Sequence, residues 1–382
     1  TIGETTVGSA QVTIRGVGTE NITAGGDPGV PLHIDGHYIQ ASNYILRDFL
    51  DIERVEILRG PQGTLYGRNA VGGSINIITK RPTEDFEGLL SADFGNYDKR
   101  LVQVVVSGPL GDAVRGRVAV SDEKRDGFVE NVSSLGGEDL DDSDYTSIRA
   151  MLEYDVTEDI QLALSGYHFD DSSVATAARR INEYPAGALG PFINYYDVNN
   201  AGTNITVSDL WKVRANGLRD DSNVAKGMAV DIDWELGDLL LRSLSAYNDN
   251  EIDVQNSDFD GSDVVTTIHN NGKTGIETFT QEFQLQSDNG PLKWILGLFY
   301  YTENSSYRER NVSDNLFVVG GSESIFLSSM DVEAEALGVF GQIEYSISDK
   351  VELVAGLRYN KDKKTAFGDI SIPDFGLVGP NG

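Results

Sequence analysis

Four histidines, 60 carboxylates, 30 lysines and arginines and not one cysteine are the chemical raw material of this 382-residue sequence. The missing cysteine removes thiolate metal sites, cysteine nucleophiles and disulfide scaffolds together. His33 and His37 are spaced i,i+4, but in extended chain that puts them about 13 Å apart at ~3.3 Å per residue, too far to share a metal without a sharp turn. No His-Glu-His cluster points to zinc catalysis. Asp141-Asp142 and Asp220-Asp221 sit in charged loops, where solvation is the expected role rather than an acid–base dyad. The acidic run 138–144 lacks the spacing and glycine of a defined calcium loop. The segment from Gly60 to Gly73 is glycine-rich, yet no Gly-Lys-Ser/Thr follows, so it is not a phosphate loop. A net charge of −30 opposes association with nucleic acid. Neither an enzyme nor a bound cofactor or metal is expected.

The elements that would position these residues fall into two textures. Residues 1–82 alternate short apolar runs (VTIRG, VPLHIDG, RVEIL, SINIIT) with glycine turns (GGDPG, RGPQG, GRNAVGG). Asp35-Gly36 is the strongest short hairpin signal, and Asn43 to Leu50, behind the N-cap Ser42, is the best helix candidate. From about Glu87 the period becomes two, and about eleven strands follow at 87–95, 99–107, 114–124, 144–155, 159–170, 224–236, 239–250, 273–287, 292–305, 331–346 and 350–366. The strand at 239–250 alternates least clearly.

The links between these strands alternate short and long after a compact first one, FGNYDK. A sandwich has no reason to sort its loops by parity, whereas an outer-membrane barrel has tight periplasmic turns at one rim and long loops at the other. The mean hydropathy of −0.26 is compatible with this, since a barrel strand is apolar on one face only. Tyr154 and Tyr345 precede short turns on apolar faces, as a girdle requires, and Tyr247, Tyr300, Tyr301 and Tyr359 lie toward the long-loop ends. The chain opens on TIGETTVGSA without a leader and closes on PDFGLVGPNG, so both ends read as cut.

The run from Leu50 to Pro82, LDIERVEILRGPQGTLYGRNAVGGSINIITKRP, with TIRG at 13–16 and VPLHIDG at 30–36, resembles the plug domain of TonB-dependent outer-membrane receptors. The resemblance implies a mainly β chain: a small α/β plug (1–82) and an antiparallel transmembrane β-barrel (83–382), incomplete at about 11 strands of the 22 such transporters carry. It should form an open, curled sheet with an unpaired last edge.

The resemblance further implies energised import in the bacterial outer membrane, among lipid and lipopolysaccharide. Its partners would be a TonB-ExbB-ExbD complex, whose contact segment is absent here, and a small-molecule or metal-chelate substrate. A ferric siderophore is the first expectation; cobalamin, carbohydrate or another nutrient is the alternative, and a non-transporting surface binding protein or adhesin is a second. Arg15 and Arg59 match the family's plug arginines that lock onto barrel glutamates. Their usual partners lie beyond this chain, leaving Glu282, Glu344 or Glu352 as inward-pointing substitutes. Gly60, Gly63, Gly67, Gly72 and Gly73 are expected to make tight turns. Tyr44 at a plug apex, and Arg179, Arg180, Tyr195, Tyr196, Trp211 and Lys212 in the long loop, are the candidate substrate contacts.

Overall fold

The computed structural model describes residues 2–5, 9–18, 25–40, 49–133, 137–174, 211–213, 221–258, 269–314, 323–348 and 350–371. The N-terminal part holds an antiparallel pair, β1 (Ile2–Thr5) and β2 (Ser9–Val12), and a four-stranded sheet. The sheet comprises β3 (Leu32–Ile34), β4 (His37–Ile39), β5 (Ile52–Arg59) and β6 (Gly73–Thr79), ordered β4-β3-β6-β5 with β3 and β6 parallel.

Local chemistry explains the hairpin. Asp35 and Gly36 both take positive φ (50° and 89°), the geometry that lets two residues reverse a twisted strand pair. The Asp35 carboxylate then accepts bonds from the backbone N–H and hydroxyl of Thr79 (2.9 and 2.7 Å), tying the turn to the end of β6. β6 alternates Ile75 and Ile77, packed into the core, with Ser74 and Asn76, whose side chains meet His33 Nδ1 (3.2 Å) and accept the Gly36 N–H (3.2 Å). Its polar face is therefore satisfied inside the domain.

After two short strands are set aside, β10 (Glu130–Asn131) and β13 (Lys212–Val213), the described strands from Glu87 onward form one antiparallel sheet. It runs through β7 (Glu87–Phe94), β8 (Arg100–Pro109), β9 (Val114–Arg125), β11 (Ser143–Thr157), β12 (Ile160–Asp171) and β14 (Ser222–Leu236). It continues through β15 (Leu239–Asp258), β16 (His269–Ser287), β17 (Leu292–Asp314), β18 (Glu323–Ser348) and β19 (Val351–Ser371). These eleven strands pair in chain order, and β7 and β19 are unpaired edges, so the sheet is open as expected. One rim carries the turns 110–113, 158–159, 237–238 and 288–291, where β8, β11, β14 and β16 end.

The strands reach further than the alternation predicts, β18 to 26 residues. Outward-facing positions explain why. On β17 they read Leu292, Trp294, Leu296, Leu298, Tyr300, then Thr302 and Asn304; on β18, from Tyr345 to Leu337, then Glu335 and Glu333. The apolar band thus ends after nine residues, about the span of one tilted membrane strand. Above it β17 is largely polar on both faces and its periodicity fades while the backbone ladder continues, whereas β18 keeps a buried inner face of Ala336, Ala334 and Val332. Tyr247, Phe279, Tyr300 and Tyr359 cap the band and face outward. Tyr301 differs from the sequence reading: it points inward and is fully buried, since neighbours on a strand face opposite sides. The weak alternation of β15 also has a cause, because its inward Leu244 and Ala246 are buried beside the plug strand β4, making both faces apolar.

No helix occurs among the described residues, so the α part of the expected α/β plug is not seen in them; residues 41–48 lie outside, and Phe49 and Leu50 are non-helical.

Candidate functional site at the interface of plug and barrel

The plug sheet lies against the inward face of the large sheet, and the two sides of this contact differ. Toward β8–β12 the seam is apolar with one buried ion pair. Ile75, Ile77, Leu32 and Val30 share a core with Phe169 and Ala225 of the wall, and Leu50 packs with Val105 and Ala119. Arg117 of β9 donates from Nε and Nη2 to the two Asp51 oxygens at 2.6 Å each, with only 4% and 7% of the two side chains exposed. The planar fork matches the carboxylate edge, and the low-dielectric setting strengthens the bond. Arg81 adds a 3.0 Å bond to Glu153.

Toward β14–β19 polar and aromatic contacts join apolar ones. His37 Nε2 stands 2.9 Å from Asp231 Oδ1, out of line for a hydrogen bond. Tyr38 packs edge-on against Tyr301 at 5.5 Å, within a cluster completed by Phe299, Ala334 and Ala336. The Arg68 guanidinium lies 4.4 Å above the Tyr301 ring while Nη2 donates to Asp27 (2.8 Å). Tyr301 and Ser305 hydroxyls donate to the buried Glu303 carboxylate (2.8 and 2.9 Å). Lys364 of β19 reaches the plug twice, at Gly25 O (2.7 Å) and Asp27 Oδ2 (3.0 Å).

Burial sets the charge states inside the plug. It pushes the His33 imidazole down to about 4, further lowered by His37 and only partly offset by the bond with the Ile75 backbone, so His33 is neutral at pH 7. Burial works to raise the Asp27 carboxyl, but the bond from Lys364 and the charges of Arg68 and Lys364 outweigh it and hold it below its usual range.

Several expected residues sit elsewhere. Arg15 and Arg59 are exposed and, among the described residues, form no ion pair; Arg59 ends β5, the sheet edge opposite the wall-facing β4. Glu282 and Glu344 do face inward, but they accept bonds from Gln284 (2.5 Å) and Gln342 (2.9 Å). Glu352 lies at an inward register position opposite Ser346. The Asp35-Gly36 hairpin supplies the sharp turn that His33 and His37 would need to share a metal. The two rings still lie on opposite faces, because His33 pairs with Tyr38 and Ile34 with His37 across the hairpin. Of the glycines, Gly60, Gly67 and Gly73 need positive φ. Gly72 is instead required by packing, its Cβ position lying 2.9 Å from Val17, and Gly63 has neither constraint.

Tyr44, Arg179, Arg180, Tyr195 and Tyr196 lie outside the described residues. Trp211 and Lys212 are engaged within the outer loops, Trp211 against Phe128 (5.8 Å) and Lys212 to Glu130 (2.7 Å). In the acidic run, Asp139 and Asp142 accept backbone N–H bonds from Asn131 (3.0 Å) and Val174 (2.5 Å). Sequence reading missed Asp51–Arg117, His37–Asp231 and Arg68–Tyr301. The available signal was parity: Arg115, Arg117 and Asp231 occupy the inward register of otherwise ordinary strands.

A sheet with a nine-residue apolar belt outside and a small domain held by ion pairs inside defines a plugged outer-membrane barrel. The comparisons agree. Residues 1–74 match the family model of the TonB-dependent receptor plug domain, and residues 165–378 that of the TonB dependent receptor-like β-barrel. The chain belongs to the TonB-dependent receptor family of the Gram-negative outer membrane. It is 36% identical over 115 residues to the pesticin receptor of Yersinia pestis (30% of this chain, 17% of that protein). It is 28% identical over 160 residues to the ferripyoverdine receptor of Pseudomonas aeruginosa (41% and 18%). Among solved structures, the ferric yersiniabactin uptake receptor of Yersinia pestis superposes with a TM-score of 0.78 at 18% identity, covering 96% of this chain and 52% of that one. The ferripyoverdine receptor of Pseudomonas aeruginosa bound to ferripyoverdine gives 0.66 at 16% identity, covering 96% and 50%. These two likenesses show the shared fold, and the chain spans about half the length of the solved relatives it matches.

Proposed function

We propose that this chain forms the plug, to residue 82, and the first eleven wall strands, from 83, of an energised importer whose cargo is a ferric siderophore. The observation that carries the reading is a folded plug held in the lumen by contacts that are strong on one side and polar and separable on the other. The relatives' names supply the cargo class: receptors for ferric yersiniabactin and ferripyoverdine share the fold. The TonB-ExbB-ExbD complex is the partner that would pull the plug, and no catalytic role is assigned. Arg15 and Arg59, exposed and without an ion pair among the described residues, are proposed to pair with carboxylates of further wall strands. Trp211 and Lys212 remain candidates for cargo contact only if the outer loops reopen, because both are already engaged; Tyr44, Arg179, Arg180, Tyr195 and Tyr196 are the other candidates.

The test is uptake of radio-iron carried by yersiniabactin or pyoverdine into cells expressing the full-length receptor, with and without TonB. Uptake lost on deleting TonB supports the importer, and undiminished uptake refutes it.

A further inference from the structure

The two histidines of the β3–β4 hairpin face different surroundings. His33 turns into the plug, beside the Ser74 hydroxyl (3.2 Å). His37 turns toward the wall, where β4 packs against β15 and the ring meets Asp231 of β14. Nε2 and Oδ1 are 2.9 Å apart, and only 7% and 13% of the two side chains are exposed. Both atoms are buried and, among the described residues, neither has a hydrogen-bond partner. Asp231 has no other ion-pair partner among them.

Such a contact is favourable in one charge state only. A neutral imidazole nitrogen offers either a directional N–H or a lone pair. Here the N–H would be out of line, and the lone pair would confront a carboxylate oxygen. A protonated ring brings a full charge, whose attraction to a carboxylate requires closeness rather than alignment and grows with burial. Histidine is the side chain that exchanges these states between about pH 5 and pH 8.

The groups around His37 leave its charge to Asp231. On the same hairpin, His33 is buried and neutral at pH 7. Strand β15 presents the apolar Leu244 and Ala246. Glu282 of β16 is within electrostatic reach of His37, and it also feels the guanidinium groups of Arg242 and Arg358. Protons have a route to the pair. Asp231, Asp233 and Glu235 occupy successive inward positions of β14, at steps of about 6.6 Å. Glu235 then lines an open space of about 570 Å³ beside the turn 237–238.

We propose that His37 and Asp231 form a proton-operated fastener between plug and wall, an ion pair that closes when acid charges the imidazole and lapses when the ring is neutral. The wall therefore grips this face of the hairpin more firmly in acid, while protonation of the inner His33 acts on the plug with the opposite sign. The contact belongs to the resting receptor and does not depend on the cargo.

The test is a double-mutant cycle in the full-length receptor in lipid, with His37→Gln, Asp231→Asn and both changes together. Plug opening is read at about pH 5 and about pH 8 from hydrogen exchange of the Ile75 amide, which is bonded to Pro31 O. Intrinsic exchange rates and the effect of His33 are common to all four proteins and cancel. The coupling should suppress opening roughly tenfold more at the lower pH than at the higher, an ordinary size for one interacting pair. Equal coupling at the two pH values indicates a neutral hydrogen bond and overturns the proposal, as does coupling that is absent or larger at the higher pH. Should the His37 variants fail to assemble, Asp231→Asn alone should raise opening about tenfold more in acid than in base, relative to wild type; the same rise at both overturns the fastener. Asp233→Asn removes the neighbouring carboxylate, which is bonded to Arg242 at 2.8 Å, and should leave the pH dependence of the coupling unchanged. If that change abolishes the dependence, the general field of the strand is responsible and the contact is not.

Discussion

The Asp51–Arg117 pair offers the sharpest test of how the plug is held. Both side chains are almost fully excluded from water, and among the described residues Arg117 has one further carboxylate partner, Glu87 at 3.2 Å, which is 47% exposed. Removing Asp51 leaves a buried guanidinium without its bidentate partner, a change that costs about 3–5 kcal/mol in comparable buried pairs. At about 1.4 kcal/mol per tenfold, plug opening should become roughly 10²- to 4 × 10³-fold more frequent. Hydrogen exchange in the full-length receptor reads this directly, because the β6 amide of Ile75, bonded to Pro31 O at 3.0 Å, is protected only while the plug is intact. Asp51→Ala, Arg117→Ala and the double variant complete a cycle. The double variant should be far less destabilised than the sum of the singles, since removing both charges leaves neither unpaired. Additivity within about 0.5 kcal/mol, or unchanged Ile75 exchange in Asp51→Ala, would refute the claim that this pair anchors the plug.

The buried neutral His33 makes plug stability depend on acidity. Its folded-state value of about 4 lies below the ordinary 6.5, so the unfolded chain binds the proton first and stability falls as pH drops from 6.5 to 4, by about 3 kcal/mol in all. Exchange measured across that range should show the slope, and His33→Gln should flatten it; an equal slope in the variant contradicts the assignment. Gly73→Ala places a Cβ 2.2 Å from Leu58 O and should prevent β5 from pairing with β6. Gly60→Ala meets no atom within 4 Å and should cost only the left-handed penalty of about 1–2 kcal/mol; similar losses in urea titration would count against the register. On the wall, outward Val339→Arg should destabilise the folded barrel by about 2–4 kcal/mol while inward Gln342→Arg should not, as measured by refolding into lipid. Equal effects would mean that the two faces are assigned wrongly.

Much of the architecture was written in local pattern. The period of two over Leu292–Tyr300 and Val351–Tyr359, the parity of short and long links, and Asp35-Gly36 each report a constraint that acts within a few residues: pleat, membrane thickness, hairpin twist. Strand length was not legible above the belt, because ladders such as Leu292–Asp314 continue through largely polar residues that show no alternation. Parity could have marked Tyr301 as inward, and the tyrosine-girdle argument passed over it.

By itself the sequence determined an eleven-strand antiparallel sheet with one lipid face, preceded by a small glycine-turned domain, and the motifs from Leu50 to Pro82 determined its kinship. Only the tertiary structure decided which charges hold that domain. Asp51 and Arg117 are 66 residues apart and Arg68 and Tyr301 further still, so no local period relates them. Their pairing follows from where the curved wall places its inward registers against the plug. That is a property of two folded surfaces meeting, and a buried charge has no reason to be where it is until its partner arrives.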